Sequence, residues 1–473
     1  MTLAYACAWL APLLAGTGIV ALASGRPREP SAWAATLGCG FVLGLIACAC
    51  AIGLLGRMDV TRIVPLLAPV LLAFATACWL LAWRRPRALP AAADAGMPRW
   101  LWILPLLLVL HAALMADEIL LRPMYPWDAW AAWLMKPKAW MLGGHMDAFV
   151  GFDEWLADAS GLLRTAPTAA YPETLGRIAL WFASAWGEWN GGVVGVIWLA
   201  LWIALLCGSF GHLRALGLGR GRAVVAIYAL GSLPLVNVHV ALAGYADLWL
   251  ATVLAFACLY WLRWMERRET GALVLALLFA AALPLIKLEG GIWLALLLAS
   301  MLYGRMPQRL RRIALVLAPL IGGGVVIAYL LHVPGLSSLL DGIGLSADVP
   351  LLAQHAPAVI AAAVAGLFAQ YNWHLFWFAV ALTLVMRRAA LADSGALRVF
   401  GLFLLLGCGF LFALFVLTPA GRWAESYTAV NRLSLQIVPA MLVFCALLWR
   451  EAAPSRLAAT APVRMVEAAA TAS

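Results

Sequence analysis

The chain has 473 residues, 65% of them hydrophobic and 11% charged, with a mean hydropathy of +0.94. A single soluble core cannot bury that much apolar surface, so the lipid bilayer is the expected solvent and a soluble globular protein is excluded. The formal net charge is +10, yet the Lys and Arg residues sit in short clusters between apolar runs rather than in a stripe or motif, so no nucleic-acid partner is expected.

Apolar runs of the roughly 20 residues needed to cross a ~30 Å hydrocarbon layer recur along the chain. Strand-type alternation is absent, which makes the spans helices. In chain order they fall near residues 3–24, 33–55, 63–83, 100–116, 190–210, 222–240, 244–262, 271–286, 288–304, 312–332, 357–386, 398–418 and 431–449. That is about thirteen, with a break expected near Asn372. The predicted fold is therefore an all-α polytopic membrane protein. Residues 1–83 read as an N-terminal three-helix unit, 84–99 as a cytoplasmic linker rich in Arg, Pro and Ala, 100–449 as the membrane core, and 450–473 as a disordered cytoplasmic tail. The first basic residue is Arg26, so the N-terminus lacks the positive region of a secretory signal and the first helix is expected to be retained. All nine cysteines lie in apolar stretches and read as small core hydrophobes. No internal repeat of fixed period is visible.

Once one loop is assigned to a side, the others alternate. This places 22 of the 32 basic residues on one face and leaves Arg57, Arg62, Arg122, Lys136, Lys138, Arg164, Arg177, Lys287, Arg422 and Arg432 on the other. By the positive-inside rule the N-terminus is expected in the periplasm and the C-terminus in the cytoplasm, in a bacterial inner (cytoplasmic) membrane. All three long connections, 117–189, 333–356 and 419–430, then lie outside. The first of them is expected to carry interfacial helices.

Ionisable residues at the ends of membrane helices are costly and are candidates for function. Here they gather on the outer face. Asp117 and Glu118 end the 100–116 run, and Glu118 has Arg122 at i+4 as a ready partner. Trp127, Asp128, Trp130, Trp133, Lys136, Lys138 and Trp140 follow within fourteen residues. On an α-helix Trp127, Trp130, Trp133 and Leu134 form one stripe, fit for an aromatic belt or for stacking on a sugar or lipid head group, while Asp128 lies off it without a local cation. Tyr171-Pro172-Glu173 closes the loop. Tyr245 and Asp247 open a helix, where Asp247 equally suits a cap. Lys287 and Glu289 interrupt apolar sequence and need partners. Arg422, Glu425, Tyr427, Asn431 and Arg432 line the last outer loop, and a guanidinium there can clamp a phosphate. His145, His332, His355 and His374 show no HxxH or HxxxH spacing, so neither a metal site nor a cofactor is expected, and a divalent metal has no support. Glycine-rich phosphate loops and nucleophile elbows are absent.

Taken in order, these residues resemble the GT-C superfamily of integral-membrane glycosyltransferases, including bacterial protein O-mannosyltransferase-like and aminoarabinose-transferase-like members. The matching pieces span residues 100 to 450: Asp117-Glu118, Trp127-Asp128-Ala129-Trp130 with Lys136 and Lys138, Tyr171-Pro172, Gly244-Tyr245-Ala246-Asp247, Lys287 with Glu289-Gly290, and Asn431-Arg432. The resemblance implies a GT-C-like fold and transfer of a sugar from a polyprenyl-phosphate carrier to a lipid, glycan or protein acceptor. It further implies an acceptor-activating acid at Asp128, Asp117 or Glu118. Phosphate- and substrate-binding roles would fall to Trp127, Trp130, Lys136, Lys138, Tyr171, Tyr245, Asp247, Lys287, Glu289, Arg422 and Arg432. The stretch Thr165 to Ala170 departs from the pattern, which has a His or Asp before the Tyr-Pro. The competing expectations are a transporter or flippase for an envelope lipid or glycan, and a non-catalytic assembly subunit.

Overall fold

The computed structural model describes residues 3–84, 96–331 and 349–450. Most of the expected linker 84–99, residues 332–348 with His332 and most of the 333–356 connection, and the tail after Arg450 lie outside the described residues. The chain opens with α1 (Leu3–Ser24), α2 (Pro30–Leu54), α3 (Ile63–Trp83) and α4 (Ile103–Leu121). An excursion follows with α5 (Met135–Gly143), a parallel two-residue pair β1 (Phe149–Val150) and β2 (Arg164–Thr165), and between them α6 (Phe152–Leu156). Next come α7 (Thr174–Trp186), α8 (Gly191–Ala215), α9 (Arg220–Gly231), α10 (Pro234–Ala241), α11 (Asp247–Arg267), α12 (Thr270–Ile286), α13 (Gly290–Arg305) and α14 (Gln308–Leu330). The remainder is α15 (Val349–Val364), α16 (Phe376–Met386), α17 (Arg388–Asp393), α18 (Gly395–Leu417), α19 (Gly421–Glu425), α20 (Val430–Leu435) and α21 (Val438–Leu448).

Among the described residues seven helices are long and apolar enough to cross a membrane, or eight if the bent pair α9 and α10 is one span. The expected number of about thirteen is thus met only in part. The 222–240 run is divided at Leu233-Pro234 with a 59° bend, because proline removes a backbone donor and clashes with the preceding turn. The 357–386 run is broken through Gln370 to Leu375, bracketing the expected Asn372. Helices α12 and α13, with 17 and 16 residues, are shorter apolar helices on either side of the Lys287 turn. Helices α3 and α4 turn large apolar side chains such as Leu66, Phe74, Leu106, Val109 and Leu114 outward, which only a lipid surface makes favourable.

α11 is the centre of the bundle. It is apolar all round, and every residue from Asp247 to Leu262 is buried. It packs against α8, α12, α18 and α21. The first three helices are not set apart from this body. α2 runs along α8 and α1 against α12. Close approach of α1 and α2 depends on glycine: a Cβ at Gly16 would stand 1.9 Å from the Gly40 carbonyl oxygen, and one at Gly44 1.9 Å from that of Pro12. α7 is also drawn inward, its Ile178, Trp181 and Phe182 buried against α1, α2 and α3, with Trp181 Nε1 donating to the Ala8 carbonyl oxygen at 2.8 Å.

Charges separate along the long axis. The end of α11 at Arg267 gathers basic side chains: Arg267 donates to Ala215 O, Arg450 pairs with Glu266 and Arg263 with Glu269, while Arg305 and Arg268 lie over the Trp264 ring. The other end of α11, at Asp247, is roughly 30 Å away at 1.5 Å per residue. The acidic and basic residues of interest meet there.

Candidate functional site

The backbone turns through Gly244-Tyr245-Ala246 to start α11, placing Asp247 in its first turn where the helix dipole favours a carboxylate. The Asp247 side chain is 0% exposed and carries four polar contacts. Its Oδ1 accepts from Lys287 Nζ and from Gln436 Nε2, each at 2.9 Å. Its Oδ2 accepts from Arg432 Nη2 at 3.1 Å and Nε at 3.3 Å. This is more than a helix cap: one carboxylate ties α11, the α12–α13 turn, α20 and the start of α21 together.

Gly244 makes this convergence sterically possible. Its φ is +115°, and a Cβ there would stand 2.3 Å from Ala129 Cβ, against the segment that carries Asp128. Gly244→Ala is therefore expected to lower stability by about 1–3 kcal/mol, with loss of function, because it combines backbone strain with overpacking. A melting curve in detergent that overlays the wild type would show that the two segments do not need this contact.

Each cation bridges the buried Asp247 to a second carboxylate that reaches solvent. Lys287 Nζ also pairs with Glu289 at 3.0 Å, and Glu289 is 28% exposed. Arg432 Nη2 also pairs with Asp128, whose side chain is 27% exposed. Burial alone drives the Lys287 ammonium toward its neutral form, but the Asp247 and Glu289 carboxylates outweigh it and raise its pKa above the ordinary lysine value. The Arg432 guanidinium also lies over the Tyr245 ring at 4.6 Å. Tyr171 completes the rim. Its phenol pKa is raised, first by burial and then by the Glu289 charge. Asp128, Tyr171, Tyr245, Asp247, Lys287, Glu289 and Arg432 thus come together from five separate stretches of chain.

Other expected site residues lie elsewhere. Lys136 is a buried strut of the segment between α4 and α7: its Nζ donates to Ala169 O at 2.9 Å, Tyr171 O at 3.3 Å and Glu173 Oε1 at 3.4 Å, and Glu173 is also held by Arg177. Burial depresses the Lys136 pKa and Glu173 offsets part of that effect. With its protons committed to this loop, Lys136 does not reach the cluster as a phosphate ligand. Lys138 is exposed on α5, and Arg422 is exposed on α19 with its guanidinium over Trp423 at 5.0 Å. Asp117 is exposed, and Glu118 pairs with Arg122 at 2.7 Å, as its i+4 spacing suggested.

The expected tryptophan stripe is split. Leu134 N donates to Ala129 O at 2.7 Å, one residue wider than an α-turn, and the segment Ala129–Trp133 is a π-turn. The wider turn rotates Trp133 and Leu134 off the line of Trp127 and Trp130. Trp133 is buried against Tyr171, with ring centroids 5.1 Å apart, while Trp127 and Trp130 stay exposed and edge to face at 4.4 Å.

Three residues of the cluster's surroundings escaped the sequence reading. Gln436 takes a hydrogen bond from Trp293 Nε1 at 2.7 Å while donating to Asp247, so it relays the packing of α13 to the carboxylate. His239 lies under Tyr245 at 5.0 Å, its Nδ1 on the Leu235 carbonyl and its buried Nε2 without a partner. Trp373 donates to Asn431, which donates to Gln370, fixing the start of α20. A polar residue at helical spacing from Arg432 was the available signal for Gln436. Among the described residues no group of three His, Cys, Asp or Glu side chains is placed to hold a metal ion. Comparison of the chain with family models, with curated proteins and with solved structures finds no match.

Proposed function

We propose that this protein is a GT-C-type membrane glycosyltransferase that moves a sugar from a polyprenyl-phosphate carrier to a lipid, glycan or protein acceptor of the cell envelope. The observation that carries the reading is a lysine and an arginine held on one buried carboxylate, with the solvent-reaching Asp128 beside them, at one end of a membrane bundle. Cations set in this way suit a leaving phosphate, and a carboxylate at their edge suits an incoming hydroxyl. In the reaction the acceptor oxygen forms a bond to the anomeric carbon as the bond from that carbon to the phosphate oxygen breaks. The bonding pair leaves on the phosphate and the hydroxyl proton passes to Asp128. A bilayer-borne donor also accounts for an all-membrane architecture.

The reading includes sidedness: the cluster faces the periplasm of a bacterial inner membrane, because the basic residues gather at the opposite end of α11. A cysteine placed at Gly151 should react with an impermeant thiol reagent in intact cells and one at Arg309 should not. The reverse pattern would put the cluster on the cytoplasmic face.

One observation favours a transporter or flippase instead. The interrupted stretches α9–α10, α15–α16 and α20–α21 resemble the broken helices that line transport sites. Transport sites lie near the bilayer midplane, however, whereas this cluster sits at the end of a helix roughly 30 Å long. Mass spectrometry of envelope glycans from deletion and wild-type cells separates the two. A transferase predicts loss of a single-sugar increment from one acceptor, while loss of the whole transported unit, with its lipid-linked precursor held on the cytoplasmic side, would establish transport.

A further inference from the structure

The cluster holds three carboxylates against two cations, and each cation is already shared between two of the carboxylates, so an arriving phosphate competes with them for the same charge. Asp247 cannot be the group displaced. It is fully buried, and without its partners it would be an uncompensated charge inside the bundle. Asp128 and Glu289 are different, being more than a quarter exposed, so water can solvate them once they let go.

We infer that the Asp128–Arg432 ion pair is a latch opened by the donor phosphate, so that the acceptor-activating carboxylate is unmasked only in the loaded site. Arg432 Nη2 is the shared atom, engaged by Asp247 Oδ2 on its buried side and by Asp128 Oδ2 on its exposed side. While Asp128 Oδ2 accepts from the guanidinium, that oxygen is not offered to an acceptor hydroxyl. A phosphate oxygen taking the exposed side of Nη2 releases it, and Asp247 keeps the guanidinium from following. Lys287 repeats the arrangement, with Glu289 as the exchangeable partner and Asp247 as the fixed one. After transfer Asp128 carries the acceptor's proton. Its loss to water restores the carboxylate, which returns to Arg432 and expels the spent polyprenyl phosphate. The empty site is thereby idle, and the device resets itself without a moving lid. The inference rests on the glycosyltransferase reading for the identity of the phosphate and for the role of Asp128.

The test is binding of a short-chain polyprenyl monophosphate, carrying no sugar, to the purified full chain in detergent. Wild type, Asp128→Asn, Glu289→Gln and the exposed control Asp153→Asn on α6 are compared by calorimetry. If the carboxylates compete with phosphate, Asp128→Asn and Glu289→Gln each bind roughly tenfold tighter or better, since a charge-assisted bond no longer has to be broken. Asp153→Asn should match the wild type. Equal binding in all four proteins would overturn the latch and leave the proposed function standing. Weaker binding in Asp128→Asn, with Glu289→Gln unchanged, would also overturn it. No binding by any of them would remove the phosphate donor itself, and the function with it. Because Glu289→Gln reads the second exchange point independently, a fold defect in one variant does not leave the question open.

Discussion

Asp128→Asn is expected to lower the rate of sugar transfer by about 10²- to 10⁴-fold, the range typical of losing a general base, while the protein still accumulates in the membrane. The substitution keeps shape and removes charge, and its site lies on the rim of the cluster, so the fold is under little demand from it. Asp117→Asn and Glu118→Gln should transfer at close to the wild-type rate. Asp117 is exposed on α4, and Glu118 is committed to Arg122. Transfer assays on the three variants side by side decide the matter. Full activity in Asp128→Asn with loss in either of the others would move the base to the end of α4, and full activity in all three would count against a glycosyltransferase.

Asp247→Ala is expected to cost about 3–5 kcal/mol, the largest loss of stability from any single change in the cluster. It leaves Lys287 and Arg432 partly buried without their common carboxylate, and removing one partner of a buried pair strands the other. Asp247→Asn should lose much of the same stability, because the amide still meets Gln436 but no longer offsets two positive charges. Lys287→Ala and Arg432→Ala should act first on donor use, by ~1.5 to 3 kcal/mol each. Melting temperatures in detergent, read beside donor kinetics, separate the two effects. If Asp247→Ala melts with the wild type, Asp247 is an ordinary helix-terminal acid and the shared-carboxylate account fails.

Much of this site was legible because charge inside apolar sequence is conspicuous. Lys287 interrupts two hydrophobic runs, Asp247 opens one and Arg432 lies at the head of another, so hydropathy alone marked all three. Nothing local joined them, since their partners stand 40 and 185 residues away. Distance in sequence also hid the ion pair that accounts for Asp128, 304 residues from Arg432. Lys136 misled for the opposite reason. Its neighbours in sequence made it look available, but its protons are used by backbone carbonyls of a loop folded back onto it, and irregular backbone leaves no periodic signature. The tryptophan stripe assumed 100° per residue and failed where one wider turn changed the phase. Among the helices, α11 was plain from its unbroken apolar length. α7 was folded into the outer loop, because thirteen residues fall short of a span and its depth is set by α1, α2 and α3 rather than by its own hydropathy.

The single carboxylate that holds both cations also sets an order of assembly. During synthesis Asp247 enters the membrane with α11, its first counter-ion arrives with the α12–α13 turn, and its second arrives only when α20 emerges near the end of the chain. Until then the carboxylate at the head of the central helix has one of its two counter-ions. A chain cut short before residue 432 keeps every helix of the described structure that is long and apolar enough to cross a membrane, and lacks the Arg432 half of the ion-pair cluster on Asp247. In such a chain Asp247 is expected to keep Lys287 as a counter-ion but to lose Arg432, which leaves a half-compensated charge inside the bundle. The Asp247–Arg432 pair therefore forms only after α20 has joined the helices already packed round α11, so the cluster is the last part of the bundle to be assembled.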